Sequence, residues 1–314
     1  MKRFLFLIIA LTFSLANSVG QQHSQFSQYM LNLNNISPAD VGSSGMINLF
    51  GTTRQQWVGL EGAPKSTMVS VDLPFNINNT KHGAGLYFLD ESIGLFSNQS
   101  VNLEYAYHML LSEESYLSGG FTVNFKSLSF NSGDVYNVTS DYHTSSDPSI
   151  PTGSEVSDLR VGLGIGFLFR TKDLFAGISL LNVTSPVFEL GNVEFKDPLN
   201  LCFTGGYNIF LPNSLYVLKP STLLKTDFSS WQIDINANLE YKETFWGGIG
   251  YRMEDAVVFM LGMRVFDGLK IGYSFDLPTS KLINTGAGNH EITLGYSFNM
   301  DFSKKNSYKS IRFL

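Results

Sequence analysis

Residues 231–241 read Trp231-Gln232-Ile233-Asp234-Ile235-Asn236-Ala237-Asn238-Leu239-Glu240-Tyr241, apolar at every odd position and polar or charged at every even one. A strand sends successive side chains to opposite faces, so this stretch is a β-strand with one greasy and one hydrophilic surface. The same period runs through 158–169, where Leu159, Val161, Leu163, Ile165, Phe167 and Phe169 alternate with a face that includes Arg160, Gly162, Gly164 and Gly166. It returns in 291–300, where Ile292, Leu294, Tyr296, Phe298 and Met300 alternate with Glu291, Thr293, Gly295, Ser297 and Asn299.

Working outward from these, the pattern predicts fourteen strands: 45–53, 66–74, 82–90, 96–109, 115–126, 158–171, 173–182, 198–209, 214–226, 231–241, 244–253, 256–265, 268–276 and 290–300. Most approach the roughly 9–11 residues that a tilted membrane-crossing strand needs. An even number lets both ends of a closed barrel lie on one side of the membrane. Pro220 interrupts the pattern of 214–226, because proline cannot donate to a strand ladder. Alternate connections are short, near Asn76–Lys81, Ser112–Glu114, Lys172, Leu211–Asn213, Lys242–Glu243 and Phe266–Asp267. The others include the long stretches 54–65, 127–157, 183–197 and 277–289, although 227–230 and 254–255 are short. Short turns at one end and longer loops at the other fit an outer-membrane barrel better than a soluble sandwich, whose two ends need not differ. Trp231, Tyr241, Phe245 and Tyr251 fall near strand ends on the apolar face, where interfacial aromatic girdles lie. The expected fold class is therefore all-β, an antiparallel transmembrane barrel over 45–300.

Composition agrees. The chain has 314 residues, 43% hydrophobic and only 15% charged, against about 25% charged in typical soluble domains. That apolar content excludes disorder. A net charge of −6 without a basic stripe excludes a nucleic-acid partner. One cysteine, Cys202, supports neither an internal disulfide nor a structural zinc site. Lys2 and Arg3 precede an apolar run from Phe4 to Leu15 and then small residues, which reads as a secretory signal peptide over 1–20. The run is shorter than the roughly 20 residues a spanning helix needs. Residues 21–44 are expected to form a periplasmic N-terminal segment, and 301–314 a basic periplasmic tail.

Candidate site residues fall into three groups. Arg54, Gln56, Trp57, Gly59, Gly62, Pro64 and Lys65 belong to the first outer connection or its rim. Arg and Trp are frequent anchors of protein contacts, so this string either binds a partner or folds back to plug its own barrel. In the tail, Lys304 and Lys305, with Lys309 and Arg312, either touch a periplasmic partner or form a frayed end. The inward faces carry both signs: Asp72, Glu104, Asp234, Glu240 and Glu291 against Lys126, Arg160, Arg252, Arg264 and Lys270. Hairpin parity over 231–253 places Asp234 opposite Arg252, a cross-strand ion pair. Arg264 and Lys270 meet near the Asp267-Gly268 turn and need an acidic neighbour, for which Glu240 is the candidate. The loop 127–157 carries Asp134, Asp141, Asp147 and Glu155 but no Lys or Arg, and lacks the regular ligand spacing of a calcium site. No cofactor, metal site or catalytic residue is expected. The histidines lie in no metal spacing, and His108, though inward-facing, has no nucleophile motif. Gly162, Gly164 and Gly166 alternate within a strand, so they relieve inward crowding rather than cradle a dinucleotide.

Two strings carry a family resemblance. One is Gln25-Phe26-Ser27-Gln28-Tyr29-Met30 with Asn32, Ser37-Pro38-Ala39 and Gly42; the other runs from Arg54 through Gln56-Trp57-Val58-Gly59-Leu60-Glu61-Gly62-Ala63-Pro64-Lys65 to Ser66. With His290-Glu291-Ile292, they resemble the PorP/SprF family of the type IX secretion system, from Gln25 to about Met300. Ser37 stands where the family usually has Asn, and Ser preserves a similar side-chain to backbone bond. The resemblance implies a non-enzymatic barrel integral to a bacterial outer membrane of Bacteroidota type, in contact with its lipids. Its partners would be type IX components, a secreted surface adhesin used in gliding, or a periplasmic peptidoglycan-binding lipoprotein. The rival reading is a diffusion channel for small solutes.

Overall fold

The alternating segments become strands, and the strands close on themselves. The protein is represented by a computed structural model that describes residues 24–131, 156–213, 215–266, 268–279 and 286–299. In chain order the strands are β1 (Ile47–Gln55), β2 (Lys65–Ile77), β3 (Thr80–Ile93), β4 (Phe96–Ser112), β5 (Ser115–Phe130), β6 (Val156–Arg170), β7 (Leu174–Leu181), β8 (Val187–Leu190) and β9 (Val193–Lys196). There follow β10 (Asn200–Tyr207), β11 (Ile209–Phe210), β12 (Tyr216–Thr226), β13 (Trp231–Tyr241), β14 (Phe245–Arg252), β15 (Ala256–Phe266), β16 (Leu269–Pro278) and β17 (Asn289–Phe298). Apart from the separate β8–β9 hairpin and the two-residue β11, fourteen antiparallel strands form the barrel. β1 pairs β17 from Ile47↔Phe298 to Gln55↔His290, which seals the sheet. Closure leaves no unpaired strand edge in the hydrocarbon, where an unmade backbone hydrogen bond is costly.

Burial is inverted relative to a soluble protein. Ile235, Leu159 and Leu261 are 57%, 61% and 59% exposed, whereas Asn236, Asn238, Thr122 and Thr293 are buried. The apolar face of each strand therefore points outward, to lipid, and the polar face into the lumen. Trp231, Phe245 and Tyr251 lie on the outward surface near strand ends, as expected of interfacial belts.

All fourteen expected barrel strands are present, with shifted bounds; β4 and β5 reach further, to Ser112 and Phe130. Pro220 is accommodated because β12 changes partner around it. β12 pairs with β10 over Ser221–Thr226 and with β11 over Val217 and Leu218, so the missing N–H falls in the gap. The hairpin β8–β9 inside the 183–197 connection had no sequence counterpart.

The larger correction concerns the N-terminal segment. Residues 24–44 do not hang below the barrel as a periplasmic segment; they run through its lumen. With the short turns on the periplasmic side, Ser24 lies near the outer mouth, and the chain descends to Asp40 and Ser43 beside the periplasmic ends of the strands before entering β1. Phe26, Leu33, Ile36 and Val41 are buried there. Full burial of side chains such as Phe26, Leu33 or Ile36 contributes about 1.5–3 kcal/mol each, a gain unavailable to a segment left in water. The proposed signal peptide 1–20, Lys304 and Lys305 with the rest of the tail, and residues 132–155 of the acidic loop lie outside the described residues.

Candidate functional site

The lumen is built as a receptacle for this internal segment. Two apolar clusters grip it: Phe26 with Met68, Tyr87 and Leu89, and Tyr29, Leu33 and Ile36 with Leu181, Cys202 and Leu223. Glycines on the wall let the backbones touch. A Cβ at Gly83 would overlap the carbonyl of Val41, and one at Gly120 would lie 2.5 Å from the carbonyl carbon of Pro38. Gly166 likewise faces Ser37 and Pro38, so its expected relief of crowding has a specific beneficiary.

Polar contacts fix the register of the segment. Glu291 accepts the backbone N–H groups of Ser27 at 2.7 Å and Gln28 at 2.9 Å. The Ser27 hydroxyl donates to Asp276 at 2.8 Å and accepts from Arg54 Nη1, also at 2.8 Å. Arg54 Nη2 pairs with Asp276 at 2.6 Å, and Arg252 Nη1 reaches the same carboxylate at 2.8 Å. Lower down, Asp72 accepts the Gly42 N–H at 3.0 Å and Asp40 pairs with Arg170 at 2.6 Å. His108 donates from Nε2 to the Val41 carbonyl at 2.9 Å, which leaves Nδ1 to accept the Ser118 hydroxyl at 2.7 Å. Both ring nitrogens thus serve to hold the segment.

The expected lumenal residues are only partly paired as foreseen. Asp234 does stand opposite Arg252, with Nε 3.0 Å from the carboxylate. Arg264 does stand opposite Lys270. Glu240 lies within electrostatic range of Lys270, but its direct ion pair is with Lys219 Nζ, 2.8 Å away on the neighbouring strand. The sequence reading also missed Asp276, the hub of the buried network, and Ser27; the even parity of Asp276 on its strand was the available signal.

Above and below the segment the lumen widens into two vestibules. The outer one, a cavity of about 460 Å³, is lined by Gln56, Trp57 and Pro64 from the first loop and by Lys65 at the start of β2, together with Phe96 and Phe195. The Phe195 ring of β9 meets Phe96 edge-on at 5.4 Å, and Lys126 pairs with Asp197 at 2.8 Å, so the β8–β9 hairpin is pinned over this mouth. Gly59 and Gly62 sit on the exposed loop with φ of 102° and 70°, where a side chain would be strained. Arg54 leaves the group: it is fully buried, because its even position in β1 points it to the lumen alongside Thr52. It anchors the internal segment and does not reach an external partner. The periplasmic vestibule is a cavity of about 620 Å³.

The family model described as "Type IX secretion system membrane protein PorP/SprF" matches residues 18–296. Among solved structures, the chain is similar to the toluene transporter TbuX of Ralstonia pickettii, at 12% identity and a TM-score of 0.47, over 91% of this chain and 99% of that one. It is similar to the translocator domain of autotransporter NalP from Neisseria meningitidis at 12% identity and a TM-score of 0.45, over 87% of this chain and 97% of that one. For the monoaromatic hydrocarbon channel CymD the values are 11% and 0.49, over 88% and 92%. No curated protein matches the sequence.

Proposed function

We propose, from the premise that this chain belongs to the PorP/SprF family of type IX secretion system membrane proteins, that it works by recognising proteins rather than by passing solutes or by catalysis. It is an integral outer-membrane barrel, and its partners in this reading are other secretion components, an exported surface adhesin, or a peptidoglycan-binding lipoprotein in the periplasm. The observation that carries the reading is the filled lumen. Residues 24–44 occupy the path a solute would take and are held by hydrogen bonds of Ser27 and Gln28 to the buried Arg54, Asp276 and Glu291 and by two apolar clusters. Among the described residues a vestibule opens at each mouth, and the outer one presents Trp57, Pro64 and Lys65 beside Phe96 and Phe195. An aromatic pocket with a cationic rim is suited to anchoring a peptide segment.

Affinity purification of the tagged protein from native outer membranes tests this. The expected result is co-recovery of a large surface adhesin, a type IX component or a peptidoglycan-binding lipoprotein, with the adhesin lost on Trp57→Ala in a folded barrel. Steady open-pore conductance of the purified protein in a planar bilayer, with no stable protein partner, would overturn the reading in favour of a diffusion channel.

A further inference from the structure

The barrel wall is uneven at its outer end. β7 and β10 pair with each other and stop at Leu181 and Asn200, whereas β6 pairs with β7 only over Ile165–Arg170 and continues to Val156. On its other side β6 stays paired with β5 as far as Phe130↔Val156. Among the described residues, the upper part of β6 therefore has one free edge. In an antiparallel sheet alternate residues direct both backbone groups to the same neighbour. The Val183 N–H donates to the Leu163 carbonyl at 2.7 Å and the Thr184 hydroxyl to the Val161 carbonyl at 3.4 Å, so the odd residues face this edge. There the ladder ends. The N–H of Leu159 has only the carboxylate of adjacent Asp158. The Leu159 carbonyl, both backbone groups of Ser157 and the N–H of Val161 have no partner among the described residues.

This edge is not blunted. Residues 156–161 include neither Pro nor Lys, which commonly protect one, and the two charges there, Asp158 and Arg160, pair with each other at 2.8 Å. The hairpin β8–β9 touches β6 through those two lumenal side chains, and the outward Leu159 remains 61% exposed. Across β5, β4 and β3 the outward residues in register with Leu159 are Ser127, Gln99 and Asp90. The row below them is apolar, with Phe125, Val101 and Phe88, so Leu159 stands just past the hydrocarbon belt. We propose that Ser157, Leu159 and Val161 capture an extended segment of a cell-surface protein by strand addition, its backbone continuing the ladder and an apolar side chain covering Leu159. Donors and acceptors alternating at strand spacing match another extended backbone; a sugar or a lipid headgroup has no such repeat. A second copy does not fit. Two β6 edges pairing antiparallel are related by a two-fold axis normal to the wall, which turns one barrel upside down in the membrane. The edge is also continuous with the outer vestibule, because Asn182, Pro198 and Asn200, at the low rim left by β7 and β10, line that cavity. A segment anchored beside Trp57 leaves across this rim, alongside β6. The inference rests on reading the barrel as a protein-recognition module and supplies the backbone contact for that reading.

The test is photo-cross-linking in the native outer membrane with benzoylphenylalanine at Ser157, an exposed position on the edge. The expected product is one adduct that maps by mass spectrometry to a segment of alternating apolar residues in a cell-surface protein. Its yield should fall at least tenfold in Leu159→Pro, which removes an edge N–H but none from the ladder with β5. It should fall less than threefold in Leu159→Thr, which keeps that N–H. Heat-modifiable migration reports folding, and Val161→Pro replaces Leu159→Pro if that fails to insert. A synthetic peptide of the mapped segment gives a readout without barrel variants. N-methylation of one alternate set of its residues should weaken binding to the purified barrel at least tenfold, and methylation of the other set should leave it unchanged. No adduct, an adduct to lipid, to a second copy or to residues 132–155, one indifferent to proline, or equal binding of the two methylated peptides would each overturn the proposal. Partner recovery that depends on Trp57 but not on this edge overturns this inference alone, whereas recovery of no protein at all overturns the outer-pocket reading with it.

Discussion

Arg54 and Asp276 meet at 2.6 Å inside the barrel with neither side chain exposed to solvent, although 222 positions separate them in sequence. Asp276 also takes Arg252 and the hydroxyl of Ser27, so one carboxylate joins two strands of the wall to the segment that fills the lumen. Removing one member of such a buried pair strands its partner's charge, a loss of about 3–5 kcal/mol. Arg54→Ala and Asp276→Ala should each be destabilised by that order in denaturant unfolding of the detergent-solubilised barrel. The double variant should lose clearly less than the two losses added together. Additive losses would mean that the two groups act separately.

The approach of Val41 to Gly83 predicts a second phenotype. A methyl at Gly83 cannot coexist with the Val41 carbonyl where it stands, so Gly83→Ala must shift the internal segment or strain the wall, at about 1–3 kcal/mol. In a planar bilayer the wild-type barrel should be closed, whereas Gly83→Ala, and more strongly a deletion of residues 24–40, should produce frequent openings. Equal conductance in all three would show that the segment does not seal the lumen.

The direction of the internal segment is testable by thiol labelling. Ser24 lies at the outer vestibule, while Lys172 lies at the periplasmic one. On intact cells a membrane-impermeant maleimide should modify Ser24→Cys but reach Lys172→Cys only after the outer membrane is permeabilised. Cys202 is 2% exposed and should stay silent in both. The opposite pattern would invert the barrel's orientation.

Ile235 is 57% exposed on the middle of β13, where a soluble protein would tolerate a charge. Facing lipid, Ile235→Arg should cost about 2–4 kcal/mol near the bilayer midplane. Unfolding of the barrel in phospholipid vesicles measures it. An unchanged stability would mean that this face meets water.

Much of this architecture was legible in the chain. The alternation of 231–241 assigned the lumenal and lipid faces correctly, and the short turn after Tyr241 restricted the hairpin enough to place Asp234 against Arg252. Glu240 was matched to Arg264 and Lys270, whereas its direct ion pair is with Lys219, because parity specifies a face but not which of several lumenal cations a carboxylate will reach. Lys219, directly opposite Asn238 and two residues from Glu240's own partner position, is nearer. Arg54 was grouped with the loop that follows it, since nothing in Arg54-Gln55-Gln56-Trp57 marks where a strand stops and a loop begins.

The division has a physical cause. Strand number, face and hairpin register follow from relations between residues close in sequence, because adjacent side chains on an extended backbone point opposite ways and a tight turn aligns only near neighbours. Those features were determined by the sequence alone. Whether residues 24–44 would lie outside the barrel or fill it depended on distant groups, such as Glu291 accepting Ser27 from 264 positions away and a bare Gly83 admitting Val41. Only closure of the sheet brings these groups within reach of one another, so the tertiary structure decided that the lumen is occupied.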